Sequence, residues 1–203
     1  MKKTLALLLL LISLVSLFAC GKSGPEKEFA RGTVAGNKYV SEFADLTLTV
    51  PENWSFNTDE QISELSGVSA ELLADNEKLK DAMLESLIDA MAVDSATGNN
   101  INLTFENLKI TTGLAMSEQK YAEAARNTLI SGYQSMGATV TCSDPEECKL
   151  GGNTFRRIVA DVTLNGVSLC QYCYVRKVEG WALSIAVTIV DGTDIGVFEA
   201  MFS

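Results

Sequence analysis

The sequence feature that most constrains the fold is a series of three strand-like segments near the C-terminus that are joined by very short turns. Residues 155–164 and 167–178 are separated by Asn165-Gly166, a pair that favours the left-handed backbone of a two-residue hairpin turn. Glu179-Gly180 separates the second segment from residues 181–190. Because a two-residue turn can connect only antiparallel neighbours, the sequence predicts an antiparallel sheet.

The other segments predict a single α+β domain over residues 38–203, an antiparallel β-sheet flanked by helices. Residues 43–50 alternate between apolar and polar side chains and end at Pro51, which indicates short strands around a turn. Apolar side chains recur at helical spacing over 59–86, in two or three pieces, and over 117–136. We expect further strands at about 101–105, 138–142 and 148–150, and a short helix at about 193–202.

The first twenty residues are typical of a targeting segment. Two lysines precede an apolar stretch, and the 16 residues from Thr4 to Ala19 are fewer than the roughly 20 that a membrane-spanning helix needs. The stretch ends at Leu17-Phe18-Ala19-Cys20-Gly21, which resembles a bacterial lipobox, in which the cysteine thiol receives diacylglycerol. We predict a signal peptide over residues 1–19 and lipidation of Cys20. An ordinary secretory signal, in which Cys20 has no special role, is the alternative.

The segment that follows the signal peptide is polar, glycine-rich and without periodicity. We interpret residues 20–37 as a lipidated cysteine and a flexible linker. Acyl chains on Cys20 would hold the protein on the membrane without spanning it. The predicted location is therefore extracytoplasmic, with a lipid anchor to the cell membrane of a bacterium.

Four further cysteines suggest three chemistries. Cys142 and Cys148 flank a short loop and could face each other across a hairpin as a disulfide, although free cysteines are also common core residues. Cys170 and Cys173 have the spacing of a redox pair, but in a strand residues three apart point to opposite faces. The same strand geometry argues against a zinc site built from all four cysteines.

Acidic residues are concentrated in one part of the chain. The formal net charge is −10, and residues 42–94 contain 13 acidic and two basic residues. A solvated helical surface is the simpler explanation. The functional hypothesis is a docking surface for a cationic protein partner, with Asp75, Glu77, Asp81 and Glu85 as its candidate residues. A sequence pI near 4.5 argues against nucleic acid as a partner.

Catalytic patterns are missing from the sequence. It contains no histidine, which excludes Ser-His-Asp and Cys-His catalysis and histidine-ligated zinc. It also contains no G-x-S-x-G, Walker A or dinucleotide-binding glycine motif. We therefore expect a protein without catalytic residues, cofactor or metal.

The order of the motifs resembles that of a known family. Val50-Pro-Glu-Asn-Trp-Ser-Phe56 closes a strand pair, an acidic helical segment follows, and Ala92 to Ile101 leads into Phe105-Glu-Asn-Leu108. The Ser117-Glu-Gln-Lys-Tyr121 helix start, three antiparallel strands and a terminal helix complete the order. Over residues 39–202 this resembles small clostridial-type lipoproteins with a PsbP-like domain, the α/β/α sandwich of the photosystem II PsbP protein and the Ran-binding Mog proteins. The resemblance implies a non-enzymatic binding or accessory role at the membrane surface.

Two other functions remain open at this point. One is a single-domain carrier of a small ligand or ion at the cell surface. The other, a thiol redox or hydrolytic enzyme, is disfavoured by the missing histidine and by the position of the Cys170–Cys173 pair within a strand.

Overall fold

A computed structural model describes residues 27–203, so the predicted signal peptide and Cys20 lie outside the described residues. The strands are β1 (Thr33–Ala35), β2 (Lys38–Ser41), β3 (Leu46–Thr49), β4 (Trp54–Phe56), β5 (Ser86–Asp94), β6 (Asn100–Asn107), β7 (Thr139–Cys142), β8 (Glu146–Leu150), β9 (Asn153–Leu164), β10 (Val167–Val178) and β11 (Trp181–Ile189). The helices are α1 (Asp59–Ser66), α2 (Ala70–Leu73), α3 (Asn76–Asp81), α4 (Glu118–Ser135) and α5 (Ile195–Glu199), with a 3₁₀ turn at Thr112–Ala115.

Eight strands form the central antiparallel sheet. Their order is β4-β5-β6-β11-β10-β9-β7, and β8 also pairs with β9. Leu164 lies opposite Val167 and Val178 lies opposite Trp181, so both predicted two-residue turns are confirmed. Asn165 and Glu179 adopt positive φ angles of 52° and 45°, and each is followed by a glycine that does the same. The predicted α+β fold class is confirmed.

Each helix begins at a residue that can satisfy its free backbone amides. Thr58 and Gln61 form a reciprocal capping box on α1, and Asp75 accepts from two amides at the start of α3. Ser117 caps α4, the longest helix, at the position that the sequence predicts. The predicted breaks near Gly67 and Asp75 are confirmed, because Gly67 ends α1 in the left-handed conformation and Asp75 caps a new helix after α2 ends at Leu73.

The three-stranded sheet β1-β2-β3 is separate from the central sheet, and the chain just before it is part of the folded domain. Phe29 is buried and stacks on Trp181, with ring centroids 4.0 Å apart. The flexible linker expected over residues 20–37 is therefore corrected for its last part, from Phe29 onward. Composition missed this because one aromatic and one arginine side chain fix a segment that is otherwise polar and rich in glycine.

The two faces of the central sheet are covered differently. On the face that we call the core face, side chains such as Leu103, Phe105 and Ile185 pack against the small sheet, α1–α3 and the C-terminal residues. On the opposite face, the helix face, α4 packs over β7, β9 and β10. Beside α4, the helix face of β6 and β11 carries small or polar side chains: Asn102, Thr104, Glu106, Ser184 and Ala186.

Candidate functional site

A groove runs between α4 and the helix face of the central sheet. It encloses a cavity of about 420 Å³. The α4 wall comes from Ala124, Ala125 and Thr128, which lie on one side of the helix. The sheet wall includes Ser184 and Ala186 of β11, which share a face because they are two residues apart in a strand. The groove exists because short side chains line both walls where helix and sheet approach each other.

The polar end of the groove is built around Glu106. The Tyr121 hydroxyl at the start of α4 donates a short hydrogen bond to Glu106 Oε2, and the Thr111 hydroxyl lies 3.4 Å from Oε1. Burial and the Glu106 contact both raise the pKa of Tyr121, so the phenol stays protonated and acts as the donor. This bond ties α4 to β6 and leaves one carboxylate at the mouth of an otherwise uncharged groove.

A backbone turn closes the same end. Lys177 Nζ donates to the carbonyl oxygens of Gly113, Leu114 and Met116 at 3.1, 3.0 and 2.6 Å. Three acceptors on one ammonium fix the 3₁₀ turn against β10. The turn therefore forms a rigid wall of the groove.

Cys173 lines the groove, but it is not an activated nucleophile. Burial raises its pKa to about 12, so its thiol is almost entirely protonated at neutral pH. Cys170 is paired with Ile189 in the sheet, whereas Cys173 is paired with Ala186, and this register places the two cysteines on opposite faces of β10. The arrangement therefore agrees with the sequence argument against a redox pair.

The hairpin disulfide expected between Cys142 and Cys148 is corrected by the pairing of their strands. β7 and β8 do not pair with each other but lie one after the other along β9, with Cys142 opposite Ala160 and Cys148 opposite Phe155. Five strand residues separate these partners, which corresponds to about 16 Å, far beyond the roughly 7 Å limit between bridged Cα atoms. All four described cysteines are free.

The four candidate docking residues lie just before, on and after α3, but they are not equivalent. Asp75 caps α3, lies 3.2 Å from Lys78, and has a lowered pKa because its carboxylate accepts from the Lys78 amide. Glu77 pairs with Lys80 at 3.1 Å. Asp81 and Glu85 are exposed beside them. The structure thus brings the four residues to one region, and it gives Asp75 a structural role.

A buried ionic cluster that the sequence did not reveal joins the N-terminal segment to the core face. Arg31 Nε lies 3.0 Å from Asp89 Oδ1, and its guanidinium also contacts Asp59 at 2.9 Å. Asp89 Oδ2 accepts from the Gly32 amide at 3.0 Å and from the Tyr39 hydroxyl at 2.5 Å. Burial raises the pKa of Asp89, while these donors favour its charged form. The cluster holds the segment after Phe29 in place.

A strand irregularity aims Asp89 into this cluster. The register of β5 against β6 shifts between Ile88 and Ala90, so that Asp89 has no direct partner on β6. Such a bulge redirects a side chain that would otherwise follow the strand alternation. A single acidic residue within the apolar stretch Leu87-Ile-Asp-Ala-Met91 was the sequence signal that could have identified it.

Residues 27–203 contain neither a candidate metal site nor a candidate membrane-spanning helix. None of the groups of His, Cys, Asp and Glu side chains within residues 27–203 could hold a metal ion. Within the same range, no helix is long and apolar enough to cross a membrane.

Comparison with solved structures identifies the fold. The solution structure of cyanobacterial PsbP (CyanoP) from Synechocystis sp. PCC 6803 matches 91% of this chain and 96% of that chain, with a TM-score of 0.51 and 12% identity. LpqN of Mycobacterium tuberculosis, which is involved in cell envelope biogenesis, matches 88% of this chain and 93% of that chain, with a TM-score of 0.43 and 15% identity. No family model and no curated protein matches the sequence. The chain has a PsbP-like fold, as its motif order implied.

Proposed function

We propose that this protein is a lipid-anchored, extracytoplasmic accessory protein that binds a partner at the membrane surface and is not itself an enzyme. The observation that carries the proposal is the apolar segment ending at Cys20, placed just ahead of a PsbP-like domain. The high pKa of Cys173 and the missing histidine support a non-catalytic role.

The position of Phe29 limits how far the domain could stand from such an anchor. Nine residues lead from Cys20 to Phe29, and a fully extended chain of that length reaches about 30 Å at most. A linker extending to residue 37 would have allowed roughly twice that reach. An acylated Cys20 would therefore keep the domain close to the membrane, where its partner would also be anchored or bound.

The anchor is tested by the intact mass and detergent partitioning of the native protein. We expect the native chain to begin at Cys20, to carry two or three acyl chains and to enter the detergent phase. Cys20→Ala should abolish acylation, and Cys148→Ala, which removes a different thiol, should not. A native chain without acyl groups would refute the anchor and leave a secreted domain.

The acidic docking surface is the proposed contact with a cationic partner, and the structure changes how it should be tested. Reversing Asp75 would remove the cap of α3 and confound binding with folding. The better variant reverses Glu77, Asp81 and Glu85 to lysine. Its matched control reverses Glu123, Asp144 and Asp161, three exposed acidic residues outside the proposed surface.

The readout is cross-linking to membrane proteins from a photoreactive residue at Ala82, which is exposed next to Asp81. We expect the first reversal to abolish the cross-linked product and the control reversal to preserve it. Equal yields from both variants would exclude the acidic surface as the docking site.

A second candidate function is the carriage of a small ligand, and the groove beside α4 favours it. Its cavity of about 420 Å³ falls within the usual range for small-molecule sites, about 300–1,000 Å³. This function concerns the groove and is independent of the acidic surface.

A further inference from the structure

The charge inside the groove beside α4 restricts what it could hold. Among the described residues that line it, Glu106 is the one charged side chain. The other polar groups there are neutral hydroxyls and a thiol, including those of Thr128, Ser184 and Cys173. The remaining walls are apolar or backbone, so the side chains that line the groove carry a single negative charge, while the Lys177 ammonium at the same end is held by three backbone carbonyl oxygens of the turn.

Glu106 retains hydrogen-bonding capacity. An ionised carboxylate accepts at about four lone-pair positions. The Tyr121 hydroxyl occupies one position on Oε2, and the Thr111 hydroxyl makes a long contact to Oε1. A further donor approaching from the groove could therefore bind this carboxylate without displacing Tyr121.

The class of ligand follows from the cost of desolvation. A neutral apolar molecule in the groove would remove water from Glu106 without replacing its hydrogen bonds, and an anion would also be repelled by it. A protonated amine supplies both a donor and the opposite charge. An apolar body behind the amine would contact the alanine-lined walls formed by Ala124, Ala125 and Ala186.

We propose that the groove between α4 and the helix face binds a small molecule with an apolar body and a protonated amine, which Glu106 recognises. This deepens the second function proposed above by naming a ligand class. It does not depend on acylation of Cys20 or on the acidic surface.

The test uses three probes with the same naphthylmethyl body and different charge: 1-naphthylmethylamine, 1-naphthalenemethanol and 1-naphthylacetic acid. Their binding to the full mature protein is measured by calorimetry in the same buffer and detergent for every variant. We expect the amine to bind at least tenfold more tightly than the alcohol and the acid. Glu106→Gln keeps the shape and an acceptor for Tyr121, and it should remove this preference.

Two tryptophan variants locate the binding site. Ala124→Trp places a large side chain in the groove and should abolish binding of the amine. Gln134→Trp adds the same side chain at an exposed position of α4, more than one turn beyond the last lining residue of that helix, and should leave binding unchanged. Because all variants share the same N-terminal segment and the same detergent, partition of the probe into detergent is the same in each and cancels in the comparison.

The outcomes separate the ligand class from the carrier function. If the alcohol or the acid binds as tightly as the amine and Ala124→Trp abolishes that binding, the groove is a ligand site but the amine class is wrong. If none of the probes binds in a way that Ala124→Trp removes, both the amine class and the carrier function of the groove are overturned. Circular dichroism of each variant verifies that it is folded.

Discussion

Strand β6 contributes to both faces of the central sheet, and its two sets of side chains show how differently those faces are built. Ile101, Leu103 and Phe105 are completely buried on the core face. Thr104 and Glu106 alternate with them on the helix face, where they are only partly buried. One strand thus stabilises the fold with one set of side chains and borders a groove with the other. The comparison predicts that substitutions on the core face of β6 destabilise the protein far more than substitutions on its helix face.

Neighbouring substitutions on β6 test this difference most directly. Phe105→Ala should lower the free energy of unfolding by about 3–5 kcal/mol, because it leaves a cavity among packed aromatic rings. Thr104→Ala, one residue away on the helix face, should change it by less than about 0.5 kcal/mol. Urea unfolding of both variants measures the difference. Similar losses would mean that the helix face is as important for folding as the core face.

The buried ionic cluster allows a second comparison, between a buried and an exposed aspartate. Asp89→Asn should cost about 3 kcal/mol, because Arg31 would keep its charge in a buried position without its main partner. Asp81→Asn removes an equal charge from an exposed position and should cost less than about 0.5 kcal/mol. Unfolding midpoints in urea are the measurement. An Asp89→Asn variant as stable as the native chain would show that the cluster does not hold the N-terminal segment.

Substituting two tyrosines compares the two hydrogen bonds that attach α4 to the sheet. Tyr121→Phe should cost about 2 kcal/mol, since its hydroxyl donates to a carboxylate. Tyr133→Phe should cost about 1 kcal/mol, because its hydroxyl donates to the neutral amide oxygen of Gln171 at 3.1 Å. Thermal unfolding of the two variants shows which substitution costs more stability. The reverse order would indicate that the C-terminal half of α4, and not the Glu106 end, holds the helix in place.

The smallest effect is expected within the acidic docking surface. Asp75→Ala should lower the unfolding midpoint measurably through loss of the α3 cap. Glu77→Ala should cost less than about 0.5 kcal/mol, because its pairing with Lys80 is solvent-exposed. Thermal unfolding again gives both values. Equal and negligible losses would make Asp75 available for charge reversal together with the other three residues.

Local sequence signals predicted much of the fold, and two of them stand out. The Asn165-Gly166 and Glu179-Gly180 turns fixed the register of the three C-terminal strands, because only tight turns with positive φ angles connect them. Ser117 marked the start of α4. The disulfide hypothesis failed because the sequence did not show that β7 and β8 both pair with β9. Pairing between strands depends on the whole sheet, whereas a turn or a cap depends on a few neighbouring residues.

The sequence by itself determined the antiparallel α+β fold, the breaks between helices and the acidic region, and it predicts a targeting signal that ends at Cys20. Only the tertiary structure decided that Phe29 and Arg31 belong to the domain, that Asp89 is their partner, and that Glu106 and Tyr121 meet at the end of a groove. Asp89 lies 58 residues from Arg31, so no local pattern could pair them. The physical reason is that turns and caps arise from short-range backbone preferences, while buried ion pairs and cavities arise from elements that are distant in sequence and packed together.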